Sequence, residues 1–249
     1  MASITGKDGY VLKQVPGGAL TLVAGIKEWS VDYSVDMIDT TSFAITGVTH
    51  KSTMPVLMAS TGSFSGNHTD EDTGCDLGTS YYVILSAHSG RAYYGSAYIT
   101  NKSPSVTVDG EATMTYSFQF TGKVYVLGAN VVVDGGFTAG TSAAWDVGRA
   151  NISYDTADDQ INWDGDDYLE PASNDVIVDG VSYWTQMLLE NEAGTTACAL
   201  LLGTESGTSR TSQGTYTEII TANNTTFEVD VITDGTLSLS EIKIRPILN

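Results

Sequence analysis

Polar and apolar residues alternate without a break from Glu28 to Met37. Trp29, Val31, Tyr33, Val35 and Met37 share one side; Glu28, Ser30, Asp32, Ser34 and Asp36 share the other. A period of two predicts a strand with one dry face and one wet face, and this wet face is acidic. A second clean alternation puts Met114, Tyr116, Phe118 and Phe120 opposite Thr113, Thr115, Ser117, Gln119 and Thr121. The Asp109-Gly110 pair before it reads as a hairpin turn over 106–113. Shorter strand signals stand at Leu20–Val23, Val83–Ala87 and Ala92–Ile99, and the stretch Glu71–Ser80 has room for one short helix. The first half therefore predicts an antiparallel sheet or barrel with at least one polar face.

The second half repeats short strand signals at close spacing. They are Asn130–Phe137, Tyr183–Leu188, Cys198–Gly203, Gly214–Ile220, Thr226–Val231 and the alternating tail Leu237–Arg245. Many short strands in so few residues predict a β-sandwich. Between the first strand and Ser60 the pattern lapses. From Asp39 to Met58 it predicts an arm outside the core, with Phe43, Ile45, Val48, Met54, Val56 and Leu57 scattered along it. A loop of that length in a compact domain generally has a task. Apolar residues outside a core suggest docking on another subunit, with Asp39 at the base of the arm; the alternative is an ordinary hairpin folded on its own domain.

Charge divides the chain at the same place. The net charge is -19. Up to Leu127 there are 11 acidic and 7 basic residues; from Gly128 onward there are 19 and 4. This predicts two domains, 1–127 and 128–249. Such acidity argues against holding nucleic acid through its phosphates, which requires clustered Lys and Arg. No apolar run reaches the ~20 residues needed to cross a bilayer as a helix, so membrane insertion is not expected. Met1–Thr5 has no character of a secretory leader. Cys75 and Cys198 fall in different halves and read as two thiols rather than a disulfide.

Trp29–Val35, Asp39-Thr40-Thr41-Ser42-Phe43, Ser63–Asn67, the acidic stretch, Val83–Ala87, Arg91–Ile99 and Ser117–Gly122 follow one another in that order. The order resembles the tail tube (major tail) proteins of long-tailed bacteriophages over residues 8 to 123. The resemblance implies a mainly β protein: a barrel or sandwich with one short helix and a long inter-ring loop. It implies rings of six copies whose sheets join into one barrel and which stack into a tube. DNA passes through an acidic lumen without specific binding. A tape measure protein and a tail terminator are the implied partners, the virion tail tube the implied location, and the host cytoplasm the place of assembly. Glu28, Asp32 and Asp36 become lumen-facing candidates, with Thr113, Thr115 and Gln119 as alternatives. An acidic wall would let a polyanion slide.

The second half is similar to galactose-binding-like jelly rolls, the fold of many carbohydrate-binding modules. Gly135-Gly136-Phe137 with Trp145, the Gly214-Thr215-Tyr216-Thr217 strand and the final strand carry that similarity. Where the family often has Asp-Asn before the last strand, this chain has Ser240-Glu241, which puts an inherited calcium site in question. Trp163, Tyr168 and Trp184 are the glycan-stacking candidates, Trp163 foremost because Asn162 and Asp164 flank it. A cell-surface polysaccharide is then a further partner. Asp155, Asp158, Asp159 and Asp164 could hold calcium loosely, but an EF-hand fails: with Gly165 at its sixth position, Gln160 and Pro171 occupy ligand positions. A solvated acidic loop is the simpler reading.

The leading function is a structural tail tube subunit, not an enzyme, needing no cofactor beyond that calcium, with an outward second domain that binds glycans or stabilises the tube. The alternative is a two-module carbohydrate-binding adhesin. A glycosidase using two of the many carboxylates is the third; it requires a pair about 5–9.5 Å apart across a cleft, and sequence spacing places no such pair.

Overall fold

A computed structural model describes residues 9–16, 18–39, 53–68, 74–88, 90–106, 110–132, 135–137, 145, 151–155, 157–171, 177–193, 196–233 and 236–248. The protein is mainly β, with antiparallel sheets throughout and no helix among the described residues. It divides into two compact units, one drawn mostly from residues up to Val124 and one mostly from Tyr125–Asn249. Each has its own apolar core.

The first unit is built from β1 (Tyr10–Gln14), β2 (Leu20–Leu22), β3 (Ile26–Asp39), β4 (Thr53–Asn67), β5 (Ser80–His88), β6 (Arg91–Ser105) and β7 (Thr113–Phe120). They lie side by side in the order β2-β1-β5-β6-β7-β4-β3. Alternation sends Phe64, Ile99, Met114, Tyr116, Phe118 and Phe120 into the core. Trp29, on the edge strand β3, crosses that core: its ring meets Tyr93 edge-on at 5.7 Å, and its indole N–H donates to the Ser86 carbonyl at 3.1 Å. Gly62 lies where β3, β4 and β7 crowd together. A Cβ there would stand 2.4 Å from both the Ser30 carbonyl oxygen and the Phe118 ring.

Three expectations for this unit change. Residues 74–79 between the acidic stretch and β5 form a bend and a turn, not a helix; the rest of the expected helix before them lies outside the described residues. Both described ends of the arm from Asp39 to Met58 are strand; residues 40–52 lie outside the described set. β3 continues to Asp39 and β4 begins at Thr53, pairing Asp39 with Thr53 and Asp36 with Leu57. Met54, Val56 and Leu57 are therefore strand positions, though their side chains, like all of Phe43, Ile45 and Val48, lie outside the described set. Pro55 stands opposite Met37 where the β3–β4 register shifts, outside the stretch of β4 that pairs with β7; strand prolines are confined to such bulges and edges. Finally, the dry face of β3 is dry for only half its length. Trp29 and Val31 pack on the core, whereas Tyr33, Val35 and Met37 are 50%, 42% and 56% exposed.

The second unit opens with β8 (Tyr125–Leu127) and continues through β9 (Ile152–Asp155), β10 (Gln160–Trp163), β11 (Asp167–Leu169), β12 (Ser182–Ala193), β13 (Thr196–Leu202), β14 (Glu205–Ser206), β15 (Gly214–Thr221), β16 (Phe227–Thr233) and β17 (Thr236–Pro246). One sheet runs β15-β12-β17-β10-β9, the other β11-β16-β13-β14. Inward residues of both sheets merge into one core, so the unit is a sandwich. Phe137, Trp145 and Phe227 form an aromatic chain through it, with centroids 5.4 and 5.8 Å apart. The segment after β8 runs alongside β17. Gly128 N–H donates to the Pro246 carbonyl, Val131 N–H to Ile244, and the buried Arg245 returns a bond to the Gly128 carbonyl at 2.7 Å.

Candidate functional site

The two alternating stretches of the sequence belong to one surface. β4 lies between β3 and β7 and brings its own alternation, Thr61, Ser63, Ser65 and Asn67, to the same side. Register then aligns three cross-strand rows. Glu28 stands beside Ser65, Thr115 and Ser103; Ser30 beside Ser63, Ser117 and Asn101; Asp32 beside Thr61, Gln119 and Tyr98. Hydrogen bonds cross the rows: Ser65 Oγ donates to Glu28 Oε1 at 2.7 Å, and the Ser30 and Ser63 hydroxyls meet at 3.2 Å.

All these residues are exposed or half-buried. A bulge at Thr100, between Ile99 and Asn101, widens the middle of the face. There a shallow open depression of about 450 Å³ is lined by Asp32, Thr61, Ser63, Thr100, Ser117 and Gln119. None of the twelve row positions carries a cation. The surface is thus a hydroxyl-rich plane with carboxylates along one strand.

Charge spacing sets what this plane can do. Glu28, Asp32 and Asp36 follow at intervals of four residues, about 13 Å along a strand. That exceeds the screening length of about 8 Å at physiological salt. Each carboxylate therefore repels a polyanion only near contact. Such a wall discourages adhesion without forming a long-range barrier.

Beyond this plane, among the described residues, β3 and β4 continue as a two-stranded ribbon, from Tyr33 opposite Ser60 to Asp39 opposite Thr53. Asp36 sits on the ribbon's wet side, with Tyr33, Val35 and Met37 opposite. Burial and the nearby Tyr93 raise the Tyr33 hydroxyl pKa above its ordinary value, so it stays neutral at physiological pH. An isolated ribbon is marginal in water, and one with an open apolar side is short of a partner surface.

The stacking candidates of the second unit separate. Trp163 is 1% exposed and Trp184 2%, so neither ring offers a face to a sugar. Polar neighbours made Trp163 look like a loop residue. In fact Ile161-Asn162-Trp163 is strand β10, pairing with both β9 and β17, and Asn162 points to the other side, where Ser238 Oγ donates to it at 2.6 Å. Tyr168 is 37% exposed on β11, opposite Asp230.

The four calcium candidates are not drawn together. Asp155, Asp158 and Asp159 lie around the β9–β10 turn, and Asp164 lies at the far end of β10. Asp155 caps the Ala157 N–H, and Asp159, at positive φ, accepts from the Tyr154 hydroxyl at 3.0 Å. Among the described residues no three acidic, His or Cys side chains converge as a metal site would require.

The sequence reading had missed β4, and with it Thr61, Ser63 and Ser65. Their period of two was present, but alternating glycines in place of bulky apolar residues weakened the signal.

No family model and no curated protein matches the chain. Solved structures with some likeness exist. The tail of an empty gene transfer agent particle with C6 symmetry is 20% identical, covering 49% of this chain and 97% of that one, with a TM-score of 0.39. The SPP1 tail tube is 18% identical over 51% of this chain and 80% of its own, TM-score 0.37. A chain of the activated phage p2 baseplate is 11% identical over 97% of this chain and 98% of its own, TM-score 0.32.

Proposed function

We propose that this protein is a structural subunit of a phage-type tail tube. The observation that carries the reading is the four-strand plane of Ser, Thr, Asn and Gln with Glu28 and Asp32 on it and no cation in its rows, continued by a ribbon whose apolar side is open. The plane faces the bore, with Glu28 and Asp32 on it and Asp36 on the wet side of the ribbon that continues it, and DNA passes without specific binding. The ribbon, with the segment at its tip, docks on another copy. The segment order resembling tail tube proteins supplies the ring of six, the stacking of rings, and the tape measure and terminator partners. The second unit projects outward, binding host glycan or stabilising the tube.

Negative-stain images of concentrated protein test the assembly: tubes or six-fold rings are expected, and a persistent monomer would remove the reading. A density map of such a tube tests the bore, since Asp32 on the outer surface would reverse the assignment.

A further inference from the structure

Where β14 and β15 bring the edges of the two sheets of the second unit together, an open groove of about 520 Å³ runs between them. That lies within the range of about 300–1,000 Å³ typical of pockets for small organic ligands. Its polar groups are held in place. Glu218 Oε2 accepts the Thr208 N–H at 2.8 Å and Arg210 Nη2 at 3.4 Å. Arg210 is itself stacked on the Tyr216 ring at 4.7 Å. The other carboxylate oxygen, Glu218 Oε1, lies beside Gly207, where a Cβ would come within 2.3 Å of it. Glycine at 207 therefore gives that oxygen room, and the Glu218 side chain is 16% exposed. Across the groove, Asn223 accepts the Thr204 N–H at 2.7 Å, and donates to the Thr204 hydroxyl at 2.7 Å and to Glu205 Oε1 at 3.2 Å.

We propose that this groove binds a neutral oligosaccharide segment. The ligand class rests on the reading of the second unit as a glycan-binding module; the location rests on the groove alone. Fixed carboxylate oxygens on both walls suit hydroxyl donors, and charged acceptors make the stronger hydrogen bonds. Their being held beforehand lowers the ordering cost of binding. An anionic glycan fits poorly: from Gly128 onward the chain carries 19 acidic and 4 basic residues. Arg210 and Lys243 are paired with Glu218 and Glu241, and Arg245 is buried against the Gly128 carbonyl. A basic peptide would find a single uncompensated groove carboxylate, Glu205, because Glu218 already faces Arg210.

The test titrates the full chain with neutral trisaccharides (malto-, cello- and chito-) and with hexalysine, comparing Glu205→Ala, Glu205→Gln and Tyr168→Ala. Both positions are exposed, so the three variants should fold, and thermal melts check this. Trisaccharide binding should weaken about tenfold or more in Glu205→Ala. It should hold within about threefold in Tyr168→Ala and in about 0.5 M NaCl, where exposed charge attraction is largely screened. Trisaccharide binding lost in Tyr168→Ala but kept in Glu205→Ala overturns the location and leaves the glycan reading standing. Absence of trisaccharide binding at millimolar concentration overturns both. Salt-sensitive hexalysine binding that Glu205→Gln abolishes, with no trisaccharide bound, makes the groove a basic-peptide site instead.

Discussion

The indole nitrogen of Trp29 stands 3.1 Å from the carbonyl oxygen of Ser86, tying the edge strand β3 to the interior strand β5 across the core. The strand that presents Glu28 and Asp32 is thus fixed by more than its ladder with β4. Trp29→Phe should cost about 1 kcal/mol, the net value of one hydrogen bond. Trp29→Ala should cost about 2–3 kcal/mol, less than a fully buried Trp because this ring is half-buried. Urea unfolding of the first unit's transition measures both. An alanine variant as stable as the parent would show that the ladder alone holds the strand.

Val35→Asp combined with Met37→Asp should leave the free chain within about 0.5 kcal/mol of the parent, since both side chains are already exposed. Assembly should be lost if the ribbon docks through that side. Sedimentation of concentrated protein reads the outcome, and tubes formed by the double variant would exclude this surface from the interface.

Gly62→Ala should destabilise by about 1–3 kcal/mol, the usual cost of forcing atoms into a packed site. One of the two atoms in the way, the Ser30 carbonyl oxygen, is backbone and has little room to move. Thr61→Ala, one position away on the wet face, should be close to neutral. Equal melting temperatures for the two variants would contradict the close approach.

Lys27 Nζ lies 2.6 Å from Glu111 Oε2. The hydrogen bond from Lys27, and then its charge, lower the Glu111 pKa below 4.5. A lowered carboxyl contributes above its unfolded pKa and loses that contribution as pH falls through the folded one. Both side chains are largely in solvent, so the stability effect is small. An NMR titration should show the Glu111 midpoint rising toward 4.5 in Lys27→Gln; an unchanged midpoint would assign the shift elsewhere.

Cys198 is fully buried, and burial, then the charge of Asp230, push its thiol up to about 12. It should resist thiol reagents in the folded protein at about pH 8, since the thiolate is the reactive form. It should react fully in denaturant. Because the folded value is raised above 9.0, its contribution is intact below pH 9.0 and declines as pH climbs from there toward about 12. Rapid labelling of native protein would place the thiol at the surface.

The sequence by itself determined which residues of each strand share a side. Backbone pleat alone sets that period, and it held for Glu28, Ser30 and Asp32 as for Thr115, Ser117 and Gln119. It also determined the mainly β character, through short alternating runs and turn residues. The tertiary structure decided what each side meets. Trp29 and Tyr33 share a face, yet one packs on the core and the other stands half in solvent, because β7 lies beside β4 only as far as Thr61. Trp163, with polar neighbours in sequence, is buried because β10 lies inside its sheet, between β9 and β17, and that side chain joins the core shared by both sheets. It was β4, pairing with both β3 and β7, that made one wet surface of two separate alternations. Such pairings join residues far apart in the chain, and a local pattern carries no record of which distant strand will come alongside.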